Sequence, residues 1–525
     1  MKQAALRAGD LLDDIFQFFA VLLRSQWWVW LMPLGVLYAT TRWPMARNEH
    51  IIGAVVAVGV FAWAVRRPAK ALVALMVFLP LQTVGFGFLL ALHVPGQVLR
   101  LGGGLKELLG VSILVSALHA LHVGRTREAK VRQLDAIDKA ALAYVAVATI
   151  YLLVPHLFTS FYVSPHFSVR LLAWRADCGY VLLFFAVRHA PLAPETRQRF
   201  VRVLMAIVGL VVITGLYQLV RPASWSHLIL VTGRQVSYQT SVLGNNQTTV
   251  VRDLGYLTNI HPLRISSLFL SPFDLADFML IPLAIAVERI ARNYRSKWSY
   301  VLCGVVLLIL FATQVRADAL GAIAIGLIAL IPTPHRPAVA RLRLLGAMLI
   351  GALVLLPALS GSRFFNGQGG AKSNHGHVSE LTGGVQTLAR NPLGLGIGDA
   401  AGVGDRFVLQ QPGQQGGFTV DNAVLQVGDE LGVQALLPWL LLMILVWRAL
   451  GRASKQPDPF AAGIRLAFLA ILIAGMYHEP FLTFPVPWIL WAAIGLVLRP
   501  AGVGATPGAT GNIERLDAIS ASDVS

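Results

Sequence analysis

Residues 201–220 read VRVLMAIVGLVVITGLYQLV, a predominantly apolar run in which Arg202 carries the only charge. A helix of about 20 apolar residues crosses the hydrocarbon core of a bilayer. Lipid favours a helix here because a helix satisfies its backbone hydrogen bonds within the segment. Runs of this kind recur along the chain, so the sequence predicts an all-α polytopic membrane protein.

The composition of the whole chain supports this fold class. Of the 525 residues, 56% are hydrophobic and 13% are charged, and the mean hydropathy is +0.65. A soluble domain carries roughly a quarter charged residues, so most of this chain is expected to lie in lipid. Cys178 and Cys303 both fall in predicted spans, and we interpret them as apolar core residues without a disulfide or metal framework.

The formal net charge of +17 does not indicate nucleic-acid binding, because the basic residues form short clusters between apolar runs rather than one stripe. Lys and Arg concentrate on the cytoplasmic side of membrane proteins. With the N-terminus inside, most of the 43 basic residues fall in cytoplasmic segments, and the outer loops 157–169 and 477–483 contain none. Both termini are therefore predicted to be cytoplasmic.

We predict about fourteen spans, within a range of roughly twelve to fourteen. Their positions are 26–42, 51–65, 71–92, 106–122, 139–156, 170–187, 201–220, 272–290, 298–314, 318–332, 342–358, 422–447, 464–476 and 484–498. The resulting regions are an amphipathic interfacial N-terminus (1–25), N-terminal membrane helices (26–220), an outer loop (221–271), central membrane helices (272–358), a large, partly helical outer loop (359–421), C-terminal membrane helices (422–498) and a disordered cytoplasmic tail (499–525).

Basic residues on the outer side are informative because Lys and Arg concentrate on the cytoplasmic side of membrane proteins. Arg316 lies between two closely spaced spans in TQVRADAL, where an arginine needs water, a partner or an anionic ligand. It either pairs with Asp318 or reaches water, or its guanidinium binds phosphate oxygens bidentately. The same alternatives, solvation or a local partner against phosphate binding, apply to Arg264, Arg170, Arg175 and Arg221.

The end of the second long outer loop carries candidate acid–base groups. In TVDNAVLQVGDELG, Asp421 and Asn422 precede a span, and Asp429 and Glu430 lie two to three turns further along. Asp421 either caps the helix, since Asp and Asn favour that position, or acts as a catalytic carboxylate. Carboxylates inside a span usually face a cavity or a partner.

The same loop holds His375 and His377 in HGHVSELTGG. No Cys or carboxylate cluster at ligand spacing accompanies them, so we interpret them as structural or substrate-contacting histidines. The turn series NPLGLGIG (391–398) needs glycine for tight bends. It lacks the strand and the Lys-Ser/Thr of a nucleotide-binding loop. We predict no metal and no cofactor.

Four segments, in order, resemble the O-antigen ligase and polysaccharide polymerase superfamily of bacterial membrane glycosyltransferases. They are RISSLFLSPFDLADFMLIPLAIAV (264–287), TQVRADALGAIAIGLIALI (313–331), ARNPLGLGIGDA (389–400) and DNAVLQVGDELG (421–432). They look like the family's arginine before a span, its Thr-x-x-Arg turn, its NP-x-G-x-G turn and the helix that follows, where Asn422 and Gly432 keep the spacing. Ligases of the family have histidine where this chain has Asp421, which favours polymerisation over ligation.

The resemblance implies a GT-C-like enzyme in the bacterial cytoplasmic (inner) membrane, with its active site on the periplasmic side. Such a polymerase joins undecaprenyl-diphosphate-linked oligosaccharide repeat units during exopolysaccharide or O-antigen synthesis. The implied partners are the lipid-linked glycan donor and acceptor and the bilayer, together with chain-length regulators and export proteins, but no nucleic acid.

The resemblance also implies roles for residues, in a glycosyl transfer that needs no metal. Asp421 is the expected base, with His377 and Glu430 as alternatives, and Asn422 and His375 are expected near the acceptor. The expected diphosphate ligands are Arg316 and Arg264, with Arg170, Arg175 and Arg221 in reserve.

Two other functions stay open. An O-antigen ligase uses the same donor and differs in its acceptor. A lipid-linked oligosaccharide flippase, which is a transporter, also has about fourteen spans, but two similar halves and short loops are typical of that class.

Overall fold

The computed structural model describes residues 48–126, 134–154, 167–242, 264–269, 271–294, 297–346, 348, 367–398, 421–481 and 485–500. Over these ranges the chain is helical and forms no strand, apart from an isolated bridge between Thr333 and Arg336. The predicted interfacial helix, the first predicted span, most of the predicted span 342–358 and the C-terminal tail after residue 500 lie outside the described residues. Arg499, the first residue of the predicted tail, donates to the carbonyls of Leu192 at 2.9 Å and Ala190 at 3.1 Å.

Helices occupy most of the described chain. In chain order they are α1 (Asn48–Arg66), α2 (Pro68–Ala91), α3 (Gly96–Gly103), α4 (Leu105–Thr126), α5 (Ala136–Leu153), α6 (Phe167–His189), α7 (Glu195–Val220), α8 (Pro222–His227), α9 (Pro272–Ala291), α10 (Lys297–Ala312), α11 (Arg316–Leu330), α12 (Gly367–Arg390), α13 (Ala423–Leu431), α14 (Val433–Ala453), α15 (Pro459–Ala474) and α16 (Val486–Val497). Short helical turns at Leu228–Thr232, Gln235–Ser237, Tyr238–Val242 and Ser267–Phe269 lie between α8 and α9.

Several of these helices are long and apolar enough to cross a membrane. Five meet both criteria within the described ranges: Pro68–Ala91, Val98–His122, Ala136–Leu153, Glu195–Val220 and Val433–Ala453. Shorter apolar helices lie at Val55–Arg66, Lys297–Ala312, Pro459–Ala474 and Val486–Val497. The protein is therefore a helical, multi-pass membrane protein.

The core lies around α9, α15 and α16. Almost every side chain of α9 and α16 is buried, and α9 packs against α10, α11 and α15 while α16 packs against α6. Peripheral helices leave large apolar side chains exposed, such as Ile213 in α7 and Leu437 in α14, as a lipid-facing surface does. Both cysteines are free thiols, and Cys178 is buried while Cys303 is half-buried.

Two groups of ion pairs join helices at their ends. Arg188, near the end of α6, donates from Nη1 to Asp138 Oδ1 at 2.6 Å and also binds Asp135, the N-cap of α5. Glu288, near the end of α9, accepts from Arg292 Nε at 3.1 Å and also binds Arg336. These ends belong to the side that the charge distribution predicts to be cytoplasmic.

A second group of contacts joins the opposite helix ends. The Ile265 N–H donates to the carbonyl of Ala312 at 3.2 Å, and the Ala423 N–H donates to the carbonyl of Gly475 at 2.8 Å. Arg170 donates from Nη1 to the carbonyl of Leu152 at 2.9 Å. Each pair joins ends that an alternating topology places on one side, which we call the outer ends.

Candidate functional site at the outer helix ends

The predicted span 422–447 is divided at Gly432. Helix α13 ends at Leu431, Gly432 adopts φ +72°, and α14 begins at Val433. A Cβ at Gly432 would lie 2.5 Å from the carbonyl carbon of Leu393, so only glycine fits both the backbone angle and the close approach. The prediction of one continuous helix was wrong here, because a single glycine in this conformation separates two helices.

The turn series 391–398 packs against this break. A helix leaves its last four carbonyl groups without donors of its own. The Leu395 N–H donates to the carbonyl of Asp429 at 2.7 Å, and the Gly396 N–H donates to the carbonyl of Glu430 at 3.0 Å. The glycine-rich turn therefore completes the C-terminal end of α13.

Two side chains hold the turn against the bundle. Gln434, in the first turn of α14, donates from Nε2 to the carbonyls of Leu393 at 3.0 Å and Leu431 at 2.8 Å. The hydroxyl of Tyr151, near the end of α5, donates to the carbonyl of Leu393 and accepts from Gln434. The position of the outer loop is thus tied to both α5 and α14.

Asn422, not Asp421, caps α13. Its Oδ1 accepts hydrogen bonds from the N–H groups of Val424 and Leu425, both at 3.0 Å. Its Nδ2 donates to the carbonyl of Met476 at 3.0 Å. The buried Asn422 side chain therefore stabilises the start of the helix. Asp421 does not have the capping role that the sequence left open for it.

Asp421 instead faces α12. Its Oδ2 lies 4.0 Å from Nδ1 of His377, and the same nitrogen lies 3.7 Å from Oε2 of Glu380. We call these three residues the outer cluster. Their side chains are partly exposed, and Asp421 is the most open at 48%.

The outer cluster corrects one expectation from the sequence. Carboxylates do accompany His377, because Glu380 follows one helical turn later and the fold brings Asp421 to the same place. Partial burial, and then the charge of Asp421, raise the pKa of Glu380, whereas the charge of His377 opposes the rise. His375 also lies in α12, but its side chain is outside the described part of the chain.

Glu430, the alternative base expected from the family resemblance, lies near the C-terminal end of α13, away from Asp421. Its side chain is buried, and its Oε2 accepts from the Gly398 N–H at 3.4 Å. Glu430 therefore faces the glycine-rich turn, whereas Asp421, before the start of α13, faces His377.

Arg264 and Arg316 both lie at the turn between α10 and α11. Arg264 donates from Nε to the carbonyl of Thr313 at 2.9 Å, and its guanidinium lies 5.2 Å from the centroid of the Phe273 ring. Arg316 is half-buried and is the first residue of α11. The structure thus brings two of the predicted phosphate ligands to one short outer turn.

The other three predicted phosphate ligands lie elsewhere. Arg170 binds the carbonyl of Leu152 and lies 5.7 Å from the Phe167 ring centroid. Arg175 donates to Glu107 at 2.9 Å. Arg221 is exposed at the junction of α7 and α8. Local partners therefore account for Arg170 and Arg175, and exposure to solvent accounts for Arg221.

The structure also brings together a buried group of side chains that the sequence does not predict. His478 Nε2 lies 3.0 Å from Asp277 Oδ2 and 4.0 Å from Asp318 Oδ2. We call Asp277, Asp318 and His478 the buried triad, since none is more than 8% exposed. Each aspartate is a carboxylate within an apolar helix, and this was the signal in the sequence that could have indicated a functional site. Their proximity was not predictable because they come from α9, α11 and the turn after α15.

The outer cluster and the buried triad are both connected to the turn after α15. Asn422, next to Asp421, binds the carbonyl of Met476, and His478 lies two residues beyond it. The Phe273 ring, which Arg264 covers, lies 5.7 Å from the His478 ring. The turn after α15 therefore connects the arginines, the buried triad and the start of α13.

Comparison with known proteins supplies no relative, since neither a protein-family model nor a curated protein matches the chain.

Proposed function

We propose that the protein is a polysaccharide polymerase that joins polyprenyl-diphosphate-linked oligosaccharide units at the outer face of the bacterial cytoplasmic membrane. The proposal includes about fourteen spans, cytoplasmic termini and a GT-C-like arrangement. The observation that carries it is the position of Asp421, which is open to solvent beside His377 while Asn422 caps the helix.

The reaction needs a base and a site for the leaving group. Asp421 accepts the proton of the attacking sugar hydroxyl as that oxygen bonds to the anomeric carbon of the donor. The bond between the anomeric carbon and the diphosphate oxygen breaks, and the diphosphate leaves with the electron pair. Arg264 and Arg316 stabilise its charge through hydrogen bonds to phosphate oxygens.

His377 acts through Asp421 in this scheme. Its Nδ1 lies 4.0 Å from the Asp421 carboxylate, so the imidazole restricts the orientation of that carboxylate toward the acceptor hydroxyl. His377 is therefore a positioning residue. Its replacement by Gln is expected to slow chain growth less than the loss of Asp421.

The proposal is tested with purified protein in nanodiscs and lipid-linked repeat units. We expect glycan chains to lengthen with wild-type protein and not with Asp421→Asn. Glu195→Gln is the matched control, because it neutralises an exposed carboxylate at the start of α7. Wild-type rates in Asp421→Asn would remove the proposed base.

A transporter is the second candidate, and the buried triad is the observation that favours it. Ionisable groups buried among membrane helices often mark proton or ion pathways. Translocation of the lipid-linked unit across liposomes, without chain growth, would favour the flippase. Transfer of the glycan to an acceptor other than a second lipid-linked unit would instead favour the ligase.

A further inference from the structure

The buried triad places two carboxyl groups and an imidazole together among apolar helices. Asp277 and Asp318 are each 0% exposed, and the ligand atoms of the three residues all lie within 4.8 Å of one another. Two ionised carboxylates at this spacing repel strongly where water is excluded. Their burial together therefore requires that their charge be neutralised, either by protonation or by a positive charge between or beside them.

The hydrogen bonds of the triad do not account for Asp318. Among the described residues, neither carboxylate oxygen of Asp318 accepts a hydrogen bond from an N–H or hydroxyl group, and Nδ1 of His478 has no partner. The carboxyl group of Asp277 lies within hydrogen-bond reach of Asp318. Asp277 differs, because both its oxygens lie near His478 Nε2, at 3.1 and 3.0 Å. Asp318 is thus a fully buried carboxylate that receives no hydrogen bond from an N–H or hydroxyl donor, although it lies beside the other two residues of the triad.

A divalent cation accounts for the paired carboxylates and gives the oxygens of Asp318 a partner. It balances two ionised carboxylates beside a neutral imidazole. A proton shared between the carboxylates beside a protonated imidazole balances the same charge, and a direct measurement of metal binding separates the two arrangements. Cation–ligand distances of about 2.0–2.2 Å place neighbouring ligand atoms roughly 3–4 Å apart. The separations of His478 Nε2 from Asp277 Oδ2, 3.0 Å, and from Asp318 Oδ2, 4.0 Å, match that range.

We propose that Asp277, Asp318 and His478 bind one divalent transition-metal cation of the Mn²⁺ or Zn²⁺ class. The imidazole nitrogen favours these ions over Mg²⁺ and Ca²⁺, which select oxygen ligands. The ligands come from α9, α11 and the turn after α15, so the cation joins three elements at their outer ends. This site departs from the expectation of a metal-free protein, and it does not depend on the polymerase proposal.

The test measures metal binding without any substrate. Full-length protein in detergent is treated with a chelator, desalted, incubated with Mn²⁺ or Zn²⁺, and analysed for bound metal and thermal unfolding. We expect one bound ion per chain and a higher unfolding temperature with metal. In Asp318→Asn and His478→Gln, affinity should fall by at least about tenfold.

Asp429→Asn is the matched control. Asp429 is also 0% exposed, and both its oxygens lack a hydrogen-bond partner among the described residues, but it lies outside the triad. It should bind metal as the wild type does. Unchanged binding in folded Asp318→Asn, or no binding by folded wild-type protein at millimolar Mn²⁺ and Zn²⁺, would overturn the proposal.

A measurement on the wild type covers the case in which the variants do not fold. Electron spin echo spectra of the Mn²⁺-loaded protein should show coupling to the imidazole nitrogen of His478. Bound Mn²⁺ without nitrogen coupling would place the ion elsewhere and would also overturn the site.

Discussion

Among single residues, Asp421 and Asn422 carry different tasks although they are neighbours. Asn422 accepts from two backbone N–H groups and donates to the turn after α15. Loss of an N-cap side chain costs about 0.5–2 kcal/mol. Asn422→Ala should therefore lower the free energy of unfolding by about that amount, whereas Asp421→Asn should leave it nearly unchanged.

Thermal unfolding of both variants in the same detergent checks this prediction. Chain-growth assays on the same samples separate the two tasks, because Asp421→Asn should lose activity while it keeps stability. A large loss of stability in Asp421→Asn would return that residue to a structural role.

Arg316 offers a second test on a single side chain. Guanidinium binds phosphate bidentately and ammonium does not. Arg316→Lys keeps the charge but loses the bidentate hydrogen bonds. It should therefore slow chain growth by at least about tenfold. Arg221→Lys is the control, because Arg221 is exposed at the junction of α7 and α8. Equal rates in both variants would mean that Arg316 contributes only charge.

Among the elements, the break between α13 and α14 depends on Gly432. Its backbone, with φ +72° and ψ −179°, lies in a region that is nearly restricted to glycine. Gly432→Ala adds strain on the order of 1–3 kcal/mol, in addition to the contact with Leu393. We expect a lower unfolding temperature and displacement of the turn 391–398.

A matched glycine provides the control for this substitution. A Cβ at Gly209, inside α7, meets nothing within 4 Å, and alanine is favoured over glycine within helices by roughly 1 kcal/mol. Gly209→Ala should therefore be neutral or stabilising. An equally tolerated Gly432→Ala would contradict the assigned role of the break.

The contact between α12 and Asp421 should depend on pH. Partial burial and the nearby Asp421 charge raise the pKa of Glu380, so protonated Glu380 is favoured in the folded arrangement. The contribution of protonated Glu380 to the free energy of unfolding is fully present below the pKa that this residue has in the unfolded chain. It is lost as pH rises through the raised folded value.

Hydrogen exchange in α12 measures this dependence, after correction for the intrinsic effect of pH on exchange. Protection should decrease as pH rises above the ordinary pKa of Glu, and Glu380→Gln should flatten the profile. An identical pH profile in Glu380→Gln would assign the dependence to another group.

For the whole molecule, apolar runs predicted the helices because lipid allows few alternatives for the backbone. The break at Gly432 escaped prediction, since the apolar pattern continues through it and a lone glycine is tolerated inside a helix. The cap could not be assigned because Asp421 and Asn422 suit that position equally.

The site was predictable only where its residues are close in sequence. The turn from Thr313 to Arg316 could be singled out directly, and the structure places Arg264 on the same turn. The buried triad could not be recognised, because His478 lies far along the chain from Asp277 and Asp318. Only the packing of α9, α11 and α15 brings those three side chains together.

We propose that the molecule makes glycosidic bonds at its outer face. The most direct measurement follows glycan length and free polyprenyl diphosphate together, in proteoliposomes loaded with lipid-linked repeat units. We predict one diphosphate released for each bond formed by the wild type, and neither product with Asp421→Asn. Movement of the lipid-linked unit across the bilayer, with no released diphosphate and no longer glycan, would contradict the claim.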